Sequence, residues 1–241
     1  MKIYAVTGFR APTIDVALPL GISFYTFQIM SYIIDVYRKK YPAGRNLIEV
    51  AAYISMFPQL IAGPIVTFDE VQPRLRERKI SPANIENGLL LFVVGLVYKV
   101  MLANQIAALW NDVMVAGVMG INTATAWLGA WGYSMQIYFD FLGYSLMAIG
   151  MGYMLGFRFP KNFSNPYCAV SVTDFWRRWH ITLGRWFREY VYIPLGGNKK
   201  GQFRLVINTF IVWFLTGLWH GAAWNFIIWG MFFFILMMLE K

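Results

Sequence analysis

Five apolar stretches divided by short polar connections constrain this chain more than anything else in it. The first runs from about Ala17 to Tyr37 and the second from Leu47 to Val66. The third covers Asn84 to Trp110, and the fourth starts near Thr123 and extends as far as Leu155. The fifth, Leu205 to Leu239, is long enough for two short spans with a break at His220-Gly221. A helix that crosses a bilayer needs roughly 20 apolar residues. Hydrophobic residues make up 58% of the chain and charged residues only 14%. A soluble domain carries nearly twice that charge. These features predict an all-α, polytopic transmembrane bundle in a single membrane-embedded domain over residues 1–241.

The net charge of +9 could indicate nucleic-acid binding in a soluble protein, but its placement argues against that here. The basic residues gather in three connections: Arg38 to Arg45, Arg74 to Lys79, and the long stretch Phe157 to Gln202. The connection Asn111 to Asn122 has none. Cytoplasmic loops of membrane proteins carry this excess. With all three basic connections inside, the second stretch must enter and leave on one side. Its Pro58 and Gly63-Pro64 suit such a broken, re-entrant segment. The same assignment requires Gly143 to Gly156 to be a non-crossing extension of the fourth stretch. The expected setting is a multi-pass membrane protein in contact with lipid and without nucleic acid. The chain opens on a polar stretch and closes inside an apolar run, so it reads as a fragment lacking helices at both ends.

Residues Thr173 to Tyr192, TDFWRRWHITLGRWFREYVY, carry the most information. At 100° per residue, Trp176, Trp179, Leu183, Trp186, Phe187 and Tyr190 share one face, with Arg177, Arg178, Arg185 and Arg188 opposite. This spacing predicts one amphipathic helix lying in the membrane interface. His180 falls at the border of the two faces, where it is either an interfacial imidazole bonded to a neighbour or a working group. His220 lies deep in NTFIVWFLTGLWHGAAWNFIIW, among the small residues Gly217, Gly221, Ala222 and Ala223. On a continuous helix Thr216, Gly217 and Trp224 would share its face. An ionisable group at such depth is costly and by default functional. A neutral imidazole can accept a proton, as a general base must. The other reading is a core histidine bonded to a backbone carbonyl. For Asp35, Lys99 and Asp140, a structural ion pair is the plain reading. The lone Cys168 excludes an internal disulfide. Two histidines make no convincing metal site, and no phosphate loop, HExxH, CxxC or G-x-S-x-G motif is present.

FPQLIAGPI (Phe57 to Ile65), YFDFLGYSLMAIG (Tyr138 to Gly150) and GFRFPKNFSNPY (Gly156 to Tyr167) resemble the membrane-bound O-acyltransferase family, as do DFWRRWHITLGRWFREYVYIPLGGN (Asp174 to Asn198) and LTGLWHGAAWNFIIWG (Leu215 to Gly230). The likeness is greatest to its bacterial alginate O-acetyltransferase branch and covers about Leu18 to the C-terminus. It implies a many-helix bowl with a tunnel, in which an acyl group moves onto a hydroxyl or amine. Carried over by motif, His220 of WHG and His180 of WRRWH are the catalytic histidines. The implied donor is acetyl-CoA arriving from the cytoplasm, its phosphates drawn to Arg177, Arg178, Arg185 and Arg188, or to Lys199 and Lys200. Trp176, Trp179, Trp219, Gly221 and Trp224 would line the tunnel. His220 would take the proton, and His180 would orient the pair or stabilise the oxyanion. The acceptor would be an exported polysaccharide or an extracytoplasmic SGNH-type relay protein. Leu142 and Leu146 depart from the branch pattern of a small and a polar residue there, which leaves the acceptor open. Alternatives are D-alanyl transfer toward teichoic acid, a transporter or flippase of acyl or glycan carriers, and a purely structural export subunit.

Overall fold

The computed structural model describes residues 21–241 apart from 62 and 200. The described residues are helical, with no strand among them. Helix α1 (Ile22–Tyr37) buries Phe27, Gln28, Ser31 and Asp35 along one face; the part of the first apolar stretch before residue 21 lies outside the described residues. Gly21 starts the helix at φ 77, and a Cβ there would stand 2.0 Å from the Leu60 carbonyl oxygen, so only glycine lets the two backbones meet.

The second apolar stretch is not one long helix. Asn46 caps α2 (Leu47–Ile54) by accepting the Ile48 N–H at 2.9 Å. Pro58 sits in the first turn of the very short α3 (Phe57–Leu60), and the chain then runs non-helically through Gly63 to Val66. The buried Tyr53 hydroxyl donates to the Val66 carbonyl at 2.8 Å and holds this strap in place. A capping box of Thr67 and Glu70 opens α4 (Phe68–Arg76). Tyr53, Val66, Phe68 and Val71 form a core with Ile149, Phe157 and Phe159.

The third and fourth stretches form a long antiparallel hairpin. Helix α5 (Pro82–Ala116) contains a π turn at Tyr98–Ala103. Helix α6 (Thr123–Met154) has 32 residues, about 48 Å at 1.5 Å per residue. Residues 143–154 thus continue the fourth helix without a break. Gly95 faces Gly143 and Gly88 faces Gly150, so the backbones touch along a glycine seam. Lys99 and Asp140, both expected to be paired, pair with each other just beyond it. Leu89, Leu90, Val93, Val100 and Met101 remain exposed on α5, an apolar surface suited to lipid.

After α6, a loop leads to α7 (Val172–Arg178) and α8 (Ile181–Phe187), followed by a π turn at Arg188–Tyr192. The single helix expected over Thr173 to Tyr192 is therefore broken at Trp179-His180. Helices α9 (Gly201–His220) and α10 (Trp224–Leu239) pack as a hairpin, and the chain breaks after His220 as the sequence implies. Helices α5 and α9 are long and apolar enough to cross a membrane; α10, with 16 residues, is shorter.

Candidate active site

The break at His180 builds the site. Trp179 leaves the helix with an extended backbone, and His180 follows at φ 45, ψ 52, a conformation unfavourable for a residue with a Cβ. Such strain costs roughly 1–3 kcal/mol and persists only where its surroundings dictate it. Two backbone bonds dictate it here: Ser164 N–H donates to the Arg178 carbonyl and Ile181 N–H to the Asn162 carbonyl, both at 2.9 Å. The loop after α6 thus grips the chain on either side of the histidine. The His180 carbonyl in turn accepts the N–H groups of Leu183 and Gly184 and starts α8.

The His180 ring is 4% exposed. The edge-to-face ring of Phe141 lies 4.7 Å away, and Phe24 and Trp219 lie at 6.3 and 6.1 Å. Nδ1 is 3.1 Å from Asn162 Oδ1, while Nε2 has no hydrogen-bond partner. Burial, and secondarily His220, push its pKa from 6.5 to about 3, so the ring is neutral at physiological pH.

Beside His180 opens a largely apolar cavity of about 1140 Å³, lined also by Trp176, Trp179, Arg177, Arg188 and Lys199. Arg177 and Arg188 are exposed, and neither forms a salt bridge among the described residues. The other two arginines of the expected donor-binding face are engaged elsewhere. Arg178 does not line the cavity and bonds Asp174 at 2.9 Å. Arg185 reaches the wall but is held by Glu70 at 2.6 and 3.0 Å.

The two histidine rings do not meet in that cavity. His220 ends α9, is exposed among the described residues, and is absent from the cavity wall. It packs on Trp219 at 4.7 Å and Trp229 at 5.0 Å. The Trp219 indole is thus the link, with the His180 ring 6.1 Å and the His220 ring 4.7 Å from it. Of the expected tunnel residues, Trp176 and Trp179 line the cavity, whereas Trp219, Gly221 and Trp224 do not. Trp224 starts a new helix, is 77% exposed, and shares no continuous helical face with His220. Among the described residues no cluster of three or more His, Cys, Asp or Glu could hold a metal ion. The sequence reading missed Asn162 and Thr182, whose only linear trace is their place in the GFRFPKNFSNPY and WRRWHITLG motifs.

Residues 42–241 match the family described as MBOAT, membrane-bound O-acyltransferase family. The chain is 47% identical to a probable alginate O-acetylase AlgI of Pseudomonas putida over 226 residues, 94% of this chain and 46% of the relative. It is 39% identical to a peptidoglycan O-acetyltransferase of Helicobacter pylori, over 91% of this chain and 46% of that protein. A teichoic acid D-alanyltransferase of Bacillus subtilis is 30% identical, over 90% of this chain and 58% of the relative. The chain spans about half the length of its alginate O-acetylase relatives. A family match over most of the chain, carried through both histidine motifs, leads to one conclusion: this chain belongs to the membrane-bound O-acyltransferase family.

Proposed function

We propose that the full-length protein moves an acetyl group from a cytoplasmic thioester, acetyl-CoA, onto a hydroxyl of an exported polysaccharide or of an extracytoplasmic relay protein. The observation that carries this reading is the buried His180, which lines a cavity bordered by uncommitted arginines and whose Nε2 has no hydrogen-bond partner. The exposed Arg177 and Arg188 and Lys199 attract the donor's phosphates, and the apolar walls take its acyl arm. The acceptor oxygen attacks the thioester carbonyl carbon and the carbon–sulfur bond breaks. The acceptor's proton passes to an imidazole of the pair, His220 being the more open, and then to the departing sulfur, giving an ester and a free thiol. Acid–base help of this kind contributes about 10²–10⁴-fold in rate.

The relatives named for O-acetylation are more similar to this chain than the one named for D-alanyl transfer, which favours acetyl as the group moved. The proposed topology is multi-pass in the inner membrane of a bacterium. The three basic connections face the cytoplasm, and residues 47–66 enter and leave on that side.

The decisive experiment measures acetyl transfer from radiolabelled acetyl-CoA by the purified full-length protein in lipid, beside His220→Ala and His180→Ala variants. Each variant should lose at least about 100-fold in turnover at normal folded yield. Wild-type turnover in His220→Ala removes its role as proton acceptor. Donor or glycan movement without ester formation would instead establish a transporter, and activity only with a D-alanyl thioester would establish the D-alanyl reading.

A further inference from the structure

We infer that Asn162 is a positioning residue that locks His180 in one tautomer, with the proton on Nδ1, so that its bare Nε2 holds the attacking hydroxyl as a hydrogen-bond acceptor. The inference rests on the acyl-transfer reading for the identity of the hydroxyl, but the tautomer follows from local geometry alone.

Three groups converge on Asn162 Oδ1: Thr182 N–H at 3.3 Å, Thr182 Oγ1 at 3.0 Å and His180 Nδ1 at 3.1 Å. An amide side chain can be turned over, exchanging its oxygen and nitrogen. Here the backbone settles the orientation, because the Thr182 N–H can only donate and needs an oxygen opposite it. The Thr182 hydroxyl agrees: its oxygen accepts the Ile65 N–H at 3.0 Å, which leaves its own hydrogen for Asn162. With an oxygen facing it, His180 Nδ1 must carry the proton, since two lone pairs would otherwise oppose each other. A neutral ring with Nδ1–H has a lone pair and no hydrogen on Nε2.

This chooses between the two roles open to His180. An oxyanion needs a donor, which the bare Nε2 is not. An attacking hydroxyl needs an acceptor, which it is. Nε2 is buried, unpartnered and on a ring at the cavity wall, so an O–H from the substrate would complete the only bond it lacks. The depressed pKa keeps the lone pair free across the physiological range.

The test uses full-length protein in lipid, labelled with ¹⁵N-histidine, the His180 signals being assigned by their loss in His180→Gln. The wild type should show a protonated Nδ1 and a bare Nε2 near neutral pH. Asn162→Leu should lose that tautomer preference and at least about 100-fold in kcat, with the donor KM changed by less than about threefold. Asn162→Asp keeps an acceptor opposite Nδ1 and should retain the tautomer and most of the turnover that the leucine variant loses. A protonated Nε2 in the wild type overturns the inference, as does wild-type kcat in folded Asn162→Leu. Should the leucine variant not fold, the wild-type spectrum and the aspartate variant decide. A wild type with the expected tautomer but no acetyl transfer sinks the acyl-transfer reading and leaves the lock standing.

Discussion

Glu70 and Arg185, 115 residues apart in the chain, close on each other through two bonds, Oε1 to Nη1 at 2.6 Å and Oε2 to Nη2 at 3.0 Å. The pair ties the strap of residues 63–67 to the helix that follows His180. Arg185 also donates to the Ile65 carbonyl at 3.2 Å, and Glu70 accepts the Thr67 N–H at 2.9 Å to complete its capping box. Parallel, charge-assisted bonds of this kind add both energy and geometric specificity. Arg185→Gln should therefore destabilise the protein by about 2 kcal/mol, because it leaves a half-buried carboxylate without its cation. The expected signature is a lower melting temperature in detergent with an unchanged donor KM in the folded fraction. A raised KM at normal stability would return Arg185 to the donor site.

Arg177 and Arg188 should behave in the opposite way. Both are exposed at the cavity. An ion pair near 4 Å in water is worth about 1 kcal/mol, so each alanine substitution should raise the acetyl-CoA KM roughly fivefold without lowering stability. The effect should shrink as salt rises, because exposed charges are screened. Arg178→Ala should change the donor KM little, since Arg178 is committed to Asp174 and lies off the cavity. Equal KM effects at all three positions would refute this division of the arginine face.

That division was out of reach of the sequence, and the reason is physical. A period of 3.6 sorts residues by angle on a helix that is assumed to continue. The arginines do alternate correctly with the aromatics, but the helix bends at His180 because residues 162–164 bond the backbone on both sides of it. A left-handed histidine imposed by a distant loop leaves no periodic mark. Asn162 was invisible for the same reason: three donors meeting on one oxygen is a fact of tertiary structure. What local chemistry controls was legible. The length of the fifth apolar stretch gave the break after His220, and charges inside apolar stretches gave ion pairs for Lys99 and Asp140, though not that each is the other's partner. The second apolar stretch was half legible. Pro58 and Gly63-Pro64 foretold that it is broken, but not that Tyr53 fastens the strap through the Val66 carbonyl.

The α5–α6 hairpin depends on backbone contact. A Cβ on Gly95 would stand 2.6 Å from the Gly143 carbonyl oxygen, and one on Gly143 would stand 2.7 Å from that of Gly95. Neither carbonyl can move without parting the helices, and the Lys99–Asp140 pair lies one turn farther along. Gly95→Ala should cost about 1–3 kcal/mol by overpacking. It should be seen as a lower detergent melting temperature. Gly132→Ala is the internal control, since its Cβ would meet a movable Leu109 methyl at 3.2 Å, and it should be close to neutral. Equal costs at the two positions would mean that the seam does not set the packing distance.

His180 makes stability depend on acid. Its pKa lies at about 3 in the folded protein, through burial first and the neighbouring His220 second, against an ordinary value of 6.5. The unfolded chain therefore binds a proton near pH 6.5, whereas the folded chain does not until about pH 3. Stability from keeping this ring neutral is complete above pH 6.5 and is lost progressively as the pH falls toward 3. Phe24, Phe141 and Trp219 around the ring carry no charge, so His220 is the titrating neighbour to control for. His180→Gln removes the proton site and should flatten this part of the acid profile. Melting temperatures of the wild type and the variant, both in a His220→Gln background, should converge as the pH is lowered from about 7 to about 4. A constant gap between them over that range would mean that His180 takes up its proton at the same pH in the folded and the unfolded protein. That result would remove the neutral, acceptor-only ring on which its role in the cavity depends.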